Sequence, residues 1–445
     1  MTSTTTPSWN PDGISLHHPS IHPRRVVITG MGAISSVGAT MSATWEAVLD
    51  GASGIRAHDW DRAEYPSVLH GNVPEEFIGT RFLDRKEARN TSRFARMALE
   101  SAGDALIDAG LIDDESFAPL IDLADGGVYL GTCVGGTYDD MIPAYAQFQE
   151  KGPRRVSPHL HVKYPLNMAS YAIHGRFGFR GPSSTLMTAC ATGTQVVGQA
   201  FHDVKFGRTR VALAGAVESD FDPFFVAGFA AMKALCTDSN DQPEAASRPF
   251  DATRSGFVIG EGAAMFVLED LEHALRRGAT IYAEICGFAS TNDAYHPIAP
   301  KPDGSSAATA MRRALADAGV TPDQVGHVNA HAASTPAGDV AEAAAIRSVF
   351  GERTATIPVT SIKGTFGHCM AASGSLETMV AVKSIATQQI PATRNYHTPD
   401  PEITLDIVHG EPRPAAFDYL SKNSFGLGGQ NASLVIGRAP AHPRV

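Results

Sequence analysis

Four short segments of this 445-residue chain carry side chains that could do chemistry together. In Leu186-Met-Thr-Ala-Cys-Ala-Thr-Gly193 a cysteine sits at the expected junction between a buried strand and the start of a helix. The free N–H groups and positive dipole end of a helix favour thiolate over thiol, and Ala189, Ala191 and Gly193 leave space for a substrate. Cys190 reads equally well as a small buried hydrophobe. In Val328-Asn-Ala-His-Ala-Ala-Ser-Thr-Pro-Ala-Gly-Asp339 a strand ends at His331, ahead of a hydroxyl-bearing turn and a helix. Loops at strand ends are where α/β proteins place their chemistry, although a single histidine among 17 more often serves as a hydrogen-bonded core or capping group.

The third segment runs from Val359 to Glu377, with Lys363 and His368 flanking a glycine-rich turn. A buried lysine needs a partner to stay charged, and Glu377 on the following helix could supply it. A solvated loop lysine is the alternative. The fourth, Asn423-Ser-Phe-Gly-Leu-Gly-Gly-Gln-Asn431, lacks the Gly-Lys-Ser/Thr ending of a phosphate loop. It reads as a backbone N–H site for an oxyanion, or as an ordinary turn before a strand over 432–436. A cysteine and two histidines at strand exits together imply acyl-thioester chemistry. Hydrolysis would need a base to activate water. Decarboxylating a malonyl thioester needs donors for an enolate oxygen, and two neutral histidine N–H groups meet that need.

These segments must be positioned by a layered scaffold, and the chain between them alternates strand and helix patterns. Strands are expected over 25–30, 127–131, 184–189, 211–217, 263–268 and 325–330, and helices over 41–49, 94–109, 192–206, 307–318 and 340–350. That is an α/β fold. The stretch 141–179 reads as irregular, an insertion that covers a cleft or forms a subunit contact. Residues 1–23 read as a flexible arm without the apolar block of a secretory signal. At this length two halves are expected, divided here at 24–283 and 284–445.

Composition narrows the class. The chain is 43% hydrophobic and 19% charged, a globular profile, and no apolar run is long enough to span a bilayer. A net charge of −11 argues against general nucleic-acid binding. The five cysteines show no metal or disulfide spacing, which points to a reducing cytoplasm and no metal.

From Arg24 to Gly437 the chain resembles the elongating β-ketoacyl-acyl-carrier-protein synthases of the thiolase-like superfamily. The resemblance rests on the four segments and on Ala246-Ser-Arg-Pro-Phe-Asp251, Gly256-Phe-Val-Ile-Gly-Glu-Gly262, Asp293-Ala-Tyr-His296 and Thr398-Pro-Asp-Pro-Glu402. It implies a five-layered α-β-α-β-α fold of two similar halves, normally dimeric. Cys190 is then the nucleophile, His331 and His368 the decarboxylating pair, and Lys363 the active-site lysine tied to Glu377. The N–H groups of Cys190 and Leu427 would hold the thioester oxygen, with Phe425, Leu427 and Gly428 in the gating loop. The acyl pocket would be lined by Val134, Pro165, Leu166, Phe229 and Met232. Arg85, Lys86, Arg89, Arg154, Arg155 and Lys233 are implied contacts for an acidic acyl carrier protein. No cofactor is implied, because phosphopantetheine arrives on the carrier.

Two positions depart from that pattern. His331-Ala-Ala333 stands where His-Gly-Thr is usual, removing a hydroxyl that contacts the phosphopantetheine arm and leaving Thr335. Leu427 replaces the usual gating phenylalanine. Both suit a ketosynthase of a discrete type II polyketide or polyene pathway, with fatty-acid elongation the close competitor. The partner subunit is a second copy or a chain-length factor. The retained Cys190, His331 and His368 argue against the chain being such a factor itself. A thiolase would carry a second cysteine near the C-terminus, and a thioester hydrolase would not need the second histidine.

Overall fold

The computed structural model describes residues 23–219 and 222–440. The arm expected over residues 1–23 lies, except for Pro23, outside the described residues. Ten strands carry the fold: β1 Val26–Ser35, β2 Gly127–Gly131, β3 Ser183–Leu186, β4 Val211–Glu218, β5 Gly262–Asp270, β6 Ala283–Asn292, β7 Val325–Asn329, β8 Pro358–Thr360, β9 Tyr419–Gly426 and β10 Gln430–Arg438. With a two-residue edge strand, Asp406–Ile407, they form one continuous sheet ordered Asp406–Ile407, β8, β7, β9, β10, β6, β1, β5, β4, β2, β3.

That order contains a repeat. Counting outward from the central β1–β6 pair, one side reads β1-β5-β4-β2-β3 and the other β6-β10-β9-β7-β8, the same succession of first, fifth, fourth, second and third strand. Orientations repeat as well: the first two pairings on each side are antiparallel and the next two parallel. The halves meet through three antiparallel partners, Val26↔Ile285 to Ile28↔Ala283.

Among the described residues, the helices that bear on the layers and the site are α1 Arg93–Asp108, α2 Ile142–Lys151, α3 Met168–Phe177, α4 Thr192–Lys205, α5 Pro223–Ala231, α6 Ser305–Ala318, α7 Pro336–Phe350 and α8 Met370–Thr387, with the expected helix at Met41–Leu49 also present. α1 covers β1 and β5 with α3 beside it, and α6 covers β6 and β10 with α7 beside it. α4 and α8 lie between the two half-sheets. Three apolar cores fill the interfaces, one around Phe201, Phe266, Leu376 and Leu434 in the middle, one around Phe94 and Val267 under α1, and one around Met311 and Val435 under α6. The result is the expected α-β-α-β-α fold of two similar halves. Its sheet is covered on both faces, so β1, β4 and β5 are buried at every residue and their sequences run apolar without alternation. α8 is buried on nearly all sides, as a central-layer helix must be.

Residues 141–179 differ from expectation. They contain α2 and α3, together with short 3-10 turns at Pro153–Arg155 and Leu160–Val162. α2 buries no residue, so it has no apolar period to read, and α3 buries only Ala169, Ser170, Ile173 and Phe177. β3 is shorter than the expected 184–189, because the chain leaves the sheet at Leu186 to build the turn that carries Cys190.

Candidate active site

Each reactive side chain stands at the exit of a parallel strand. After β3 the chain turns through Ala189, whose φ of +49° lies in the left-handed region, before α4 begins at Thr192. Holding a non-glycine residue there costs about 1–3 kcal/mol, and such strain concentrates at functional turns. Thr192 fastens the turn, its hydroxyl accepting from Thr188 N at 2.7 Å and donating to Ala189 O at 2.6 Å. Gly426 at the end of β9 lies directly against the turn: a Cβ there would fall 2.9 Å from Cys190 N and 3.0 Å from Thr188 O. This close approach aims the N–H groups of Leu427 and Cys190 at the buried sulfur.

The electrostatics correct one expectation. Burial pushes the Cys190 thiol up to about 11, and Lys363 and the two N–H groups lower it only in part. The helix terminus does not make a resting thiolate, because the sulfur is shielded from water. Gly193 also differs from its expected role. Its missing Cβ accommodates α8 rather than substrate, since a Cβ would stand 2.5 Å from Ser375 N, and one on Gly374 would stand 2.5 Å from Thr194 N. α4 and α8 thus touch backbone to backbone, drawing their N-termini, and with them Cys190 and His368, into one place.

His331 follows β7 and His368 follows β8, their rings 5.4 Å apart at 81°. Both are held well below the ordinary histidine value, first by burial and then by the Lys363 charge, so both are neutral. Ser373 Oγ accepts from Cys369 N at 2.8 Å and lies 2.9 Å from His368 Nδ1. Lys363, a donor only, faces His331 Nδ1 at 3.4 Å. The neutral His331 ring therefore carries its hydrogen on Nε2. The His331 backbone is fixed by Glu342, which accepts from His331 N at 2.8 Å and from Ala332 N at 2.6 Å and is pushed up to about 7 by burial.

Lys363 is 1% exposed and donates to Glu377 and to the His331 carbonyl. The expected Lys363–Glu377 pair is present, but Glu377 also meets a second buried lysine, Lys422 of β9, at 2.9 Å. Sequence reading missed Lys422, Glu342 and Ser373. Lys422 carried a signal, a lone lysine in an otherwise strand-like run.

A cavity of about 380 Å³ opens over this constellation. Cys190, His331, His368, Phe425, Leu427, Phe229, Met232, Thr335 and Lys233 all line it. Val134 packs in the apolar cluster around Cys190 without reaching that wall, while Leu166, next to Pro165, sits against Gly135. Gly428 takes φ +77° and its N–H donates to Pro297 O at 2.9 Å, tying the gating loop to the 293–301 loop. Arg85, Lys86 and Arg89 are exposed on a short helix, Arg85–Asn90, where Lys86 borders a separate groove between α1 and α3. Arg154 and Arg155 are exposed on their 3-10 turn, away from the cavity lining. Among the described residues no group of three or more His, Cys, Asp and Glu side chains is arranged to hold a metal ion, and no helix is long and apolar enough to cross a membrane.

Comparison with known proteins agrees with this geometry. Residues 23–274 match the family model "Beta-ketoacyl synthase, N-terminal domain" and residues 282–397 its C-terminal counterpart. The chain is 40% identical over 422 residues to 3-oxoacyl-[acyl-carrier-protein] synthase 2 of Coxiella burnetii, covering 93% of this chain and 99% of that one. A type II polyketide acyl carrier protein in complex with its ketosynthase bound to the hexaketide matches with a TM-score of 0.85 at 30% identity, over 94% of this chain and 100% of that one. The ishigamide ketosynthase/chain length factor matches with a TM-score of 0.85 at 31% identity over the same shares. Two family models that together span most of the chain, and 40% identity across nearly its whole length, place the chain in the β-ketoacyl synthase family, as a chain-elongating β-ketoacyl-acyl-carrier-protein synthase of the synthase 2 type.

Proposed function

We propose that Cys190 holds the growing acyl chain while the Nε2–H groups of His331 and His368 drive decarboxylation of malonyl carrier protein. The observation that carries this division is the pair of neutral histidine rings lining the cavity that holds the thiol. Acyl transfer exchanges one thioester for another: Cys190 Sγ bonds to the acyl carbon, the phosphopantetheine sulfur leaves, and the thiol proton passes to it. A carbonyl oxygen that gains charge is met by the N–H groups of Leu427 and Cys190. The carboxylate–methylene bond of the malonyl thioester then breaks, releasing carbon dioxide and leaving an enolate whose oxygen takes the two histidine hydrogen bonds. The enolate carbon attacks the acyl-Cys190 carbon, the cysteine sulfur leaves and takes up a proton, and the product is a β-ketoacyl thioester two carbons longer. The reaction uses no group beyond the substrate's phosphopantetheine, which Thr335 contacts at the cavity wall.

The carrier is a discrete acidic protein, met by Lys233 at the cavity and by the exposed Arg85, Lys86, Arg89, Arg154 and Arg155. The protein works as a dimer, with a second copy or a chain-length factor. The edge strand β3, whose outer backbone groups need a partner, supports this. Its five free cysteines suit the reducing cytoplasm. The test is intact mass after mixing with acyl carrier thioester, beside Cys190→Ala, followed by malonyl carrier protein. Acylation of wild type alone and a product longer by two carbons is the expected result; acylation of both proteins removes Cys190 as nucleophile.

A further inference from the structure

Lys422 has no part in the mechanism above, yet it is fully buried in the middle of β9. A lysine in that position costs several kcal/mol unless its charge is well satisfied. Its ammonium meets four oxygens: Glu377 Oε2 at 2.9 Å, Thr194 Oγ1 at 2.7 Å, Asn423 O at 3.0 Å and Ser424 Oγ. Glu377 thus faces a lysine at each oxygen: Oε1 takes a hydrogen bond from Lys363, while Oε2 lies in an ion pair with Lys422, whose own hydrogen bonds go to Thr194, Asn423 O and Ser424. α4, α8, β9 and the turn after β8 each contribute one or more of these contacts.

We propose that Lys422 is a positioning residue for the condensation: by holding Glu377 Oε2 it orients the carboxylate so that Oε1 keeps the Lys363 ammonium against the carbonyl and Nδ1 of His331. The inference rests on the reading that His331 donates from Nε2 to the enolate. Without Lys422, the buried Oε2 of Glu377 faces no positive charge, and Lys363 follows the carboxylate as it turns. His331 then loses the donor at its Nδ1, whereas the Cys190 turn loses the Thr194 and Ser424 bonds to Lys422 but keeps its own Thr192 bonds.

The charged groups facing Lys422 are Glu377 from α8, Lys363 from the turn after β8 and Glu342 from α7, with His331 and His368 beyond them. β7 presents Asn329 beside it in register and the neutral His327, β10 presents Leu434, and α4 presents Thr194. Burial draws the Lys422 ammonium down to about 8, so the grip weakens as pH rises through that value.

The experiment separates two half-reactions in the full-length protein: carbon dioxide release from malonyl carrier protein, followed from pH 6 to pH 9.5, and acylation of Cys190 by intact mass. Wild type should lose decarboxylation on an alkaline limb near pH 8. Lys422→Met should slow it by about ten- to a hundredfold at pH 7, the order expected when a positioning contact is lost, and abolish the limb. Acylation should fall at least about fivefold less than decarboxylation does. Methylammonium should restore decarboxylation to Lys422→Ala but not to Lys422→Met, whose side chain fills the space. Wild-type decarboxylation without the limb overturns the proposal whether or not the variants fold, and so does Lys422→Met with an unchanged rate and limb. Wild type that releases no carbon dioxide at any pH sinks the histidine reading instead.

Discussion

Replacing Gly426 by alanine would test the division between sulfur chemistry and enolate chemistry. Gly426 keeps an ordinary negative φ, so alanine can adopt its backbone, but the added Cβ would lie 2.9 Å from Cys190 N and 3.0 Å from Thr188 O, where ordinary contacts begin at 3.4 Å. The end of β9 must retreat by about 0.5 Å, because a close-packed interior offers no free space to take it up. Leu427 N–H moves with it, away from where the thioester oxygen forms. Complete loss of one oxyanion donor costs roughly 10²–10³ in kcat, so a half-ångström displacement should slow Cys190 acylation by about ten- to a hundredfold. The histidines follow other strands and make no bond to Leu427, and the Phe425 ring, 5.8 Å from His331, is what links His331 to the moved strand end, so uncoupled decarboxylation of malonyl carrier protein should fall at least about fivefold less than acylation. Rapid-quench intact mass gives the first rate and trapped carbon dioxide the second. An equal fall in both would refute the assignment of Leu427 N–H to the thioester oxygen.

Other expectations follow from individual contacts. Ser373→Ala removes the hydroxyl bonded to His368 Nδ1 and the acceptor for Cys369 N, so decarboxylation should fall by about fivefold and stability by about 1–3 kcal/mol, read by kinetics and denaturant melts. Glu342 is raised in the fold from 4.5 to about 7, so its contribution to stability is present below pH 4.5 and is lost as pH rises through about 7. Glu342→Gln should flatten the dependence of Tm on pH between those values, and an unchanged slope would assign it to other groups. Reversing Arg154 and Arg155 to glutamate should raise KM for the carrier protein while sparing small thioesters; an unchanged KM removes both from the docking surface.

The residues that were legible in sequence are those whose surroundings are also local. Cys190 was readable because a strand pattern, small residues and a helix pattern follow one another within a few positions, His331 because it directly follows an apolar strand, and His368 because a glycine-rich turn joins an apolar strand to it. β6 and β9 were not read as strands: β6 holds Gly287 and polar residues, and β9 carries Lys422 and Asn423 in its buried centre. β6 is set by partners more than a hundred residues away, and in β9 buried functional groups break the apolar rule. The same cause hid Lys422 and Glu342, whose meaning lies in the Glu377 and His331 contacts that only the folded chain makes. The thiol was misjudged because a helix terminus is visible in sequence and the depth of burial is not.

The repeat of strand order puts two crossovers, β3 to α4 and β8 to α8, in equivalent places, one delivering the nucleophile and the other His368. Each half supplies what the other lacks, so neither could evolve independently of its twin. Lengthening the 187–191 turn or the 361–369 turn by one residue would shift one reactive group against the other across the Gly193–Gly374 contact. The 141–179 and 293–301 segments lie outside that paired frame, and the second lines the cavity, so a change of length there would alter what the cavity accepts and leave the spacing of Cys190 and His368 intact.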